Sequence, residues 1–271
     1  MRFSSGACLP GVAQRSDWSR TDFGCIFAPR TEQALRFGRN AHGKPWLSPP
    51  LPPTPAPPAP LCFSVAHAPG ALLCAVSLGA EVGCDVEDAS RGSDASGQRL
   101  ARRYFTAAEA ASLDALPPGE SRRRRFIQMW TLKEAYVKAL GRGIAAAPLN
   151  TFELALLAAA PQAALTAPMR VELSHIGTPH AVAPYDVSGA GGSLAAAPPH
   201  LAQPAAWRLA LLELSACDHA DAEHVASVCM GVHHADAPAL ALRCWRTVPM
   251  VSDEEVKPRV LALGGCSTAQ H

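Results

Sequence analysis

Two short stretches hold side chains from which chemistry could be built. In Gly83-Cys84-Asp85-Val86-Glu87 the acids stand two residues apart, the spacing that puts both carboxylates on one face of a β-strand. Such carboxylates repel unless a cation joins them, and hard oxygen ligands suit Mg²⁺, which binds through one or two carboxylates plus substrate phosphates. Taken alone, a D-x-E at a strand end is more often a solvated turn. In the nonapeptide Trp130-Thr131-Leu132-Lys133-Glu134-Ala135-Tyr136-Val137-Lys138, the residues Trp130, Glu134 and Lys138 stand four apart on one helix face. A Glu–Lys pair of this kind on a surface is worth only about 0.3–0.5 kcal/mol. The chain has only four lysines against twenty arginines, however, and two of the four fall here. Joined, the stretches offer three carboxylates for one cation and a lysine for a phosphate oxygen. That is equipment for Mg²⁺-assisted attack on a phosphoryl group, with a carboxylate or a metal-bound water taking the nucleophile's proton.

These residues need a strand and a helix to hold them. The run from Leu61 to Asp88 reads as a strand–turn–strand–turn–strand meander with breaks at Pro69-Gly70 and near Gly79. Residues 98–114 look helical, and Thr106 with Glu109 three residues on forms a capping box. After Pro117-Pro118-Gly119 a second helix is predicted from about Glu120 to Leu140, stopping at Gly141. The runs TFELALL, MRVELSHI and WRLALLEL read as strands, and ALRCWRTVPMVSDE adds one more before a polar tail. Helices with a mostly antiparallel sheet make an α+β pattern.

The 271 residues carry 24 basic and 23 acidic side chains, a net charge of +1, which argues against nucleic-acid binding through bulk charge. Between 101 and 143, however, nine basic side chains face four acidic ones. Such a patch would attract a phosphorylated small molecule or an acidic protein, unless Arg122–Arg125 is simply a solvated helix start. Nine scattered cysteines without a CxxC pair, and an N-terminus without an apolar leader, read as a reduced cytoplasmic protein. No apolar run approaches the roughly 20 residues of a membrane span.

With the residues in view, a resemblance emerges. GCDVE followed by FIQMWTLKEAYVKALGRG resembles the paired motif of 4′-phosphopantetheinyl transferases of the Sfp type, G-x-D-x-E and then W-(S/T)-x-K-E-(A/S)-x-x-K. Gly43-Lys44-Pro45 resembles the family's GKP turn, Phe63-Ser64-Val65-Ala66-His67 its F-N-x-S-H segment, and Pro148-Leu149-Asn150-Thr151-Phe152 the stretch after the helix. The resemblance implies a pseudo-twofold α+β fold of two similar halves, each with helices on a mostly antiparallel sheet and with coenzyme A between them. It implies Mg²⁺-dependent transfer of the 4′-phosphopantetheine arm from coenzyme A to a serine of an apo acyl or peptidyl carrier protein, releasing adenosine 3′,5′-bisphosphate. By matching positions, Asp85, Glu87 and Glu134 would hold Mg²⁺, and Glu134 is also the general base. Lys138 and His67 would contact coenzyme A phosphates, with Lys44 a further contact at the rim; Trp130 and Lys133 would position or pack. Expected partners are the carrier protein and coenzyme A, with no nucleic acid or membrane, and the expected state is a monomer.

The expected organisation is an N-terminal half over 1–82 with a proline-rich connector at 48–60, a C-terminal transferase half over 83–250 carrying the metal motifs, and a tail over 251–271. Ala66 stands where the family usually has serine, a lost hydroxyl worth about 1–3 kcal/mol if it bound phosphate; Ser64 replaces a common asparagine. Only 42 residues precede Gly43. This leads to the expectation of a fuller native N-terminal half, with residues 1–33 reflecting a misplaced start or a frame slip; an in-frame stop codon just before Met1 would contradict it. A non-catalytic coenzyme A or carrier-protein binding remnant is the alternative function. Outside the family context His67 reads as a half-buried histidine. Cys217, His219, His224, Cys229, His233 and His234 fit no closed zinc spacing, and the glycine-rich run 188–192 lacks the Lys-Ser/Thr of a P-loop.

Overall fold

A computed structural model describes residues 2–3, 36–48, 59–157, 168–183, 203–215, 223–234, 237, 240–248 and 252–267. The glycine-rich run, most of the proline-rich connector, Cys217 and His219 lie outside the described residues, as does nearly all of 1–33. The strands are β1 (Arg2–Phe3), β2 (Arg36–Arg39), β3 (Pro45–Ser48), β4 (Leu61–Ala68), β5 (Ala71–Leu78), β6 (Val82–Asp88), β7 (Phe152–Leu157), β8 (Met169–His175), β9 (Ala206–Ser215), β10 (Glu223–Val232), β11 (Leu242–Val248), β12 (Ser252–Val256) and β13 (Arg259–Ser267). The helices are α1 (Asp94–Tyr104), α2 (Ala107–Asp114), α3 (Glu120–Leu140) and the short α4 (Gly143–Ala146).

Two sheets stack. A six-stranded sheet runs β6-β10-β9-β13-β8-β7, a five-stranded one β12-β11-β1-β5-β4, and β2 and β3 form a separate hairpin. One face of the larger sheet carries α1–α3: Leu132, Tyr136 and Leu140 of α3 are fully buried with Val225 and Cys229 of β10 and Leu209 and Leu211 of β9. The other face meets the smaller sheet through Cys84, Val86, Ala210, Leu212, Ala226 and Val228 against Cys62, Ala66, Leu73 and Ala75. A buried leucine contributes roughly 1.5–3 kcal/mol, so α3 is held chiefly by its fit on this sheet. The expected α+β class is the architecture seen; among the described residues the helices cover the larger sheet.

The helices form where the sequence places their signals. Thr106 caps α2 with the reciprocal hydrogen bonds of a capping box, its side chain accepting from the Glu109 N–H while Glu109 accepts from the Thr106 N–H. α3 spans Glu120–Leu140 and stops at Gly141, whose φ of 68° is the left-handed value a glycine adopts without strain.

Two expectations are corrected. The three strands from Leu61 do not form a meander: β4 and β5 pair antiparallel, but β6 leaves them to pair with β10 in the other sheet. Its residues 82–87 are all buried, because one face meets the hairpin and the other α3. The expected tail, 251–271, contains β12 and also β13, which sits inside the larger sheet between β9 and β8.

Candidate active site

Strand alternation divides β6. Cys84 and Val86 point into the layer shared with the β4–β5 hairpin, where the Cys84 N–H donates to Ser64 Oγ at 3.1 Å. Gly83, Asp85 and Glu87 face the other way, toward α3. A Cβ at Gly83 would lie 2.0 Å from the Ala135 carbonyl oxygen and 2.3 Å from the Ala139 nitrogen, so glycine is what lets the helix backbone rest directly on the strand. That close approach brings Glu134 and Lys138, one turn apart on α3, over the two acids of β6.

The Lys138 ammonium donates to Asp85 Oδ1 at 2.7 Å, and Arg91 holds Glu87 in an ion pair. Asp85 Oδ2 is buried and has no hydrogen-bond partner. Burial pushes the Asp85 carboxyl up to about 6, with Lys138 opposing the rise and Glu87 adding to it. Glu134 is pushed up to about 7, first by burial, then by the charge of Asp85, with Lys138 again opposing. The three carboxylates thus feel one another's charge across a partly dry space without converging on one point. Beneath them Ser227, which pairs with Asp85 across the ladder, donates to Thr131 Oγ1 at 2.8 Å and ties β10 to α3.

A solvent-open cleft of about 420 Å³ adjoins this group, lined by Glu87, Arg91, Ser93, Leu100, Phe126 and Trp130 among others. Trp130 packs edge-on to Tyr104 and tilted against Phe126, ring centroids 5.9 and 5.8 Å away. Lys133, its neighbour in sequence, points elsewhere. Its fully buried ammonium donates to the carbonyls of Leu149 and Phe152 at 2.7 and 2.8 Å and pairs with Glu109 at 2.8 Å.

The structure therefore brings together Asp85, Glu87, Glu134 and Lys138. His67 is exposed on β4, and alternation sets it on the opposite face from the buried Ser64 and Ala66. His67 thus points away from the layer that β4 shares with β6, whereas Asp85 and Glu87 point to α3, so the structure does not bring His67 to the carboxylates. Lys44 is occupied: its ammonium pairs with Glu81 and donates to the Ala139 carbonyl at 2.9 Å. Most of the arginine run is also engaged. Arg122 clamps Asp94 with bonds of 2.7 and 2.6 Å, Arg123 donates to the Ser90 carbonyl at 2.6 Å, and Arg124 bridges Glu213 and Glu223. The basic segment thus anchors the N-terminal end of α3 rather than forming an open patch.

Sequence reasoning did not single out Arg91 or Ser227, and it named His224 only in a zinc reading that the spacing did not fit. The buried His224 reaches across the layers, its Nε2 donating to the Pro69 carbonyl at 2.8 Å in the β4–β5 turn, and Cys229 is buried in the core. Arg91 stands four residues after Glu87, a spacing open to inspection; the other two contacts span 96 and 155 residues and leave no local signal. Among the described residues six cysteines are free, no helix is long and apolar enough to cross a membrane, and no three metal-binding side chains converge closely enough to hold an ion.

Comparison with known proteins agrees with this geometry. Residues 81–183 match the family described as the 4′-phosphopantetheinyl transferase superfamily. The chain is 37% identical over 131 residues to the 4′-phosphopantetheinyl transferase HetI of Nostoc sp. (strain PCC 7120), covering 48% of this chain and 53% of that protein. It is 28% identical over 118 residues to the 4′-phosphopantetheinyl transferase gsp of Aneurinibacillus migulanus (44% and 43%), and 36% over 86 residues to the 4′-phosphopantetheinyl transferase AcpT of Escherichia coli O157:H7 (32% and 43%). The chain thus spans about half the length of the curated relatives it matches. The matched stretch, residues 81–183, is the part of the chain that contains β6 and α3 and carries Asp85, Glu87, Glu134 and Lys138.

Proposed function

We propose that the protein transfers the 4′-phosphopantetheine arm of coenzyme A to a serine hydroxyl of an apo acyl or peptidyl carrier protein, with Mg²⁺ as cofactor. The observation that carries this reading is the seating of Glu134 and Lys138 of α3 over Asp85 and Glu87 of β6, with Lys138 on one oxygen of Asp85 and the other oxygen unpartnered. Hard oxygen donors in mutual repulsion fit a divalent cation, with Lys138 and Arg91 holding two of them as it stands. Bound there by Asp85, Glu87 and Glu134, Mg²⁺ would neutralise and orient the pyrophosphate of coenzyme A.

The remaining chemistry falls to the chain. The serine oxygen forms a bond to the phosphorus that carries pantetheine, and the bond from that phosphorus to the bridging oxygen breaks, releasing adenosine 3′,5′-bisphosphate. The serine proton passes to Glu134, the carboxylate that α3 holds over the acids of β6. Lys138, one-third exposed beside Asp85, would stabilise charge on a phosphate oxygen. His67, exposed on β4, would contact a further phosphate of coenzyme A. The cytoplasm as compartment and a monomer as active unit complete the reading.

The test is the intact mass of purified apo carrier proteins after incubation with this protein, coenzyme A and Mg²⁺, with and without chelator. The expected result is a chelator-sensitive gain of one phosphopantetheine arm. No gain from a folded sample across fatty-acid, polyketide and peptide carriers would overturn the reading and leave a non-catalytic binding protein.

A further inference from the structure

We infer that the Asn40–Lys44 turn is a clamp on the end of α3, and that Lys44 is a positioning residue rather than a contact of bound coenzyme A. This inference rests on the transferase reading above. The turn joins β2 to β3 and is fixed from within, because Asn40 Oδ1 accepts from the N–H groups of His42 and Lys44 at 3.0 and 2.9 Å. From that base it makes three contacts with the site's framework. Asn40 Nδ2 donates to the Gly141 carbonyl at 2.8 Å, the Lys44 ammonium donates to the Ala139 carbonyl at 2.9 Å, and the same ammonium pairs with Glu81.

Each contact has a physical purpose. The last carbonyls of a helix lack intrahelical donors and carry the negative end of its dipole, so a side-chain amide and an ammonium satisfy them. The Lys44 and Glu81 side chains are only 9% and 2% exposed, so the pair is a buried one. Gly141 fits the clamp closely: a Cβ there would lie 2.9 Å from Lys44 Cδ and 3.0 Å from Asn40 Nδ2. Helix terminator and clamp are therefore matched.

The position of Glu81 gives the clamp its link to catalysis. It immediately precedes β6, four residues before Asp85, while Glu134 and Lys138 lie in the last two turns of α3. One turn of chain thus ties the end of the helix that carries the base to the start of the strand that carries the acids. To touch a ligand, Lys44 would have to abandon two acceptors, the Ala139 carbonyl and a carboxylate whose side chain is 2% exposed, an unfavourable exchange.

The test uses Lys44→Met, which keeps the stem and removes the charge, and Lys44→Met combined with Glu81→Gln, which removes both charges. The single variant should raise KM for coenzyme A and lower kcat together, each by about tenfold, and speed hydrogen exchange at the Gly141 amide. In the double variant, KM, kcat and exchange should return to within about threefold of wild type, since replacing both partners of a buried pair is often nearly neutral. A double variant whose exchange and kcat recover while KM for coenzyme A stays raised would overturn the inference and make Lys44 a ligand contact. Exchange unchanged in the single variant would overturn it as well. If wild type itself transfers nothing, the function reading fails, and exchange at Gly141 still decides whether the clamp exists.

Discussion

Two lysines on one helix, five residues apart, sit in opposite kinds of environment. Lys133 is sealed: its three N–H groups meet two carbonyls and Glu109, and Glu109 in turn accepts from the N–H groups of Leu154 and Thr106. Nothing in that network is left unsatisfied, and Lys133 also lies over the Phe152 ring at 4.3 Å. Lys138 has a single carboxylate oxygen as partner, its side chain is one-third exposed, and the other oxygen of Asp85 has no partner at all. A closed polar network fixes a fold, whereas an open one beside repelling carboxylates is poised to accept something. Sequence analysis set Lys138 beside Glu134 and gave Lys133 a positioning or packing role, and the structure supplies the partners of each.

The largest expected effect falls on the open side. Glu134→Gln should cut transfer by about 10²–10⁴-fold, since it removes the proposed base and metal ligand with little change of volume. Thermal melting should show a metal-free Tm equal to or above that of wild type, because a repelling charge is gone. A variant that transferred normally would remove Glu134 from the mechanism. On the closed side, Lys133→Met should destabilise the protein by about 3–5 kcal/mol in urea unfolding, because Glu109 stays buried without its cation. Combining it with Glu109→Gln should recover part of that loss; a loss of activity with stability intact would mean that Lys133 belongs with the reacting groups.

A smaller effect is expected for Lys138→Ala, which should weaken coenzyme A binding by about ten- to a hundredfold in calorimetry, as for a lost charged hydrogen bond. Unchanged binding would return Lys138 to an ordinary surface pair. The smallest effect is a pH dependence. Asp85 and Glu134 both titrate above their ordinary values, so the folded protein favours their protonated forms. Their contribution to stability is fully present below about pH 4 and is lost as pH rises through about 6–7. Metal-free wild type should therefore lose more Tm between pH 5 and pH 8 than Glu134→Gln does, and added Mg²⁺ should narrow the difference. Equal slopes for the two proteins would show that Glu134 titrates normally.

What was legible in the sequence was local. The limits of α3 could be read because Pro117-Pro118-Gly119 and Gly141 bracket it, and α2 because Thr106 and Glu109 form a standard box. α1 begins at Asp94, earlier than expected, because its box uses Ser96 rather than Glu or Gln as the reciprocating residue after Ser93. The departure of β6 into the second sheet was hidden, since pairing with β10 is settled about 140 residues away. β13 was hidden by its Gly264-Gly265 pair, which breaks the alternation that marks a strand. At the site, spacing set Asp85 and Glu87 on one strand face and Glu134 and Lys138 on one helix face, while their expected roles came from the family resemblance. The commitment of Lys44 was not legible, because its partners Glu81 and Ala139 are 37 and 95 residues distant.

Gly83 has a consequence for how such a site tolerates change. The gap between the acids of β6 and the base on α3 is set where helix backbone rests on strand backbone, with no side chain between them. Peptide units have fixed dimensions, so this spacer cannot be lengthened or shortened by exchanging one core residue for another. The surrounding interior, rich in alanine, can drift in volume while the reach from Glu134 to Asp85 stays constant, much as a machine keeps its tolerance when the critical faces bear metal on metal and the packing is placed elsewhere.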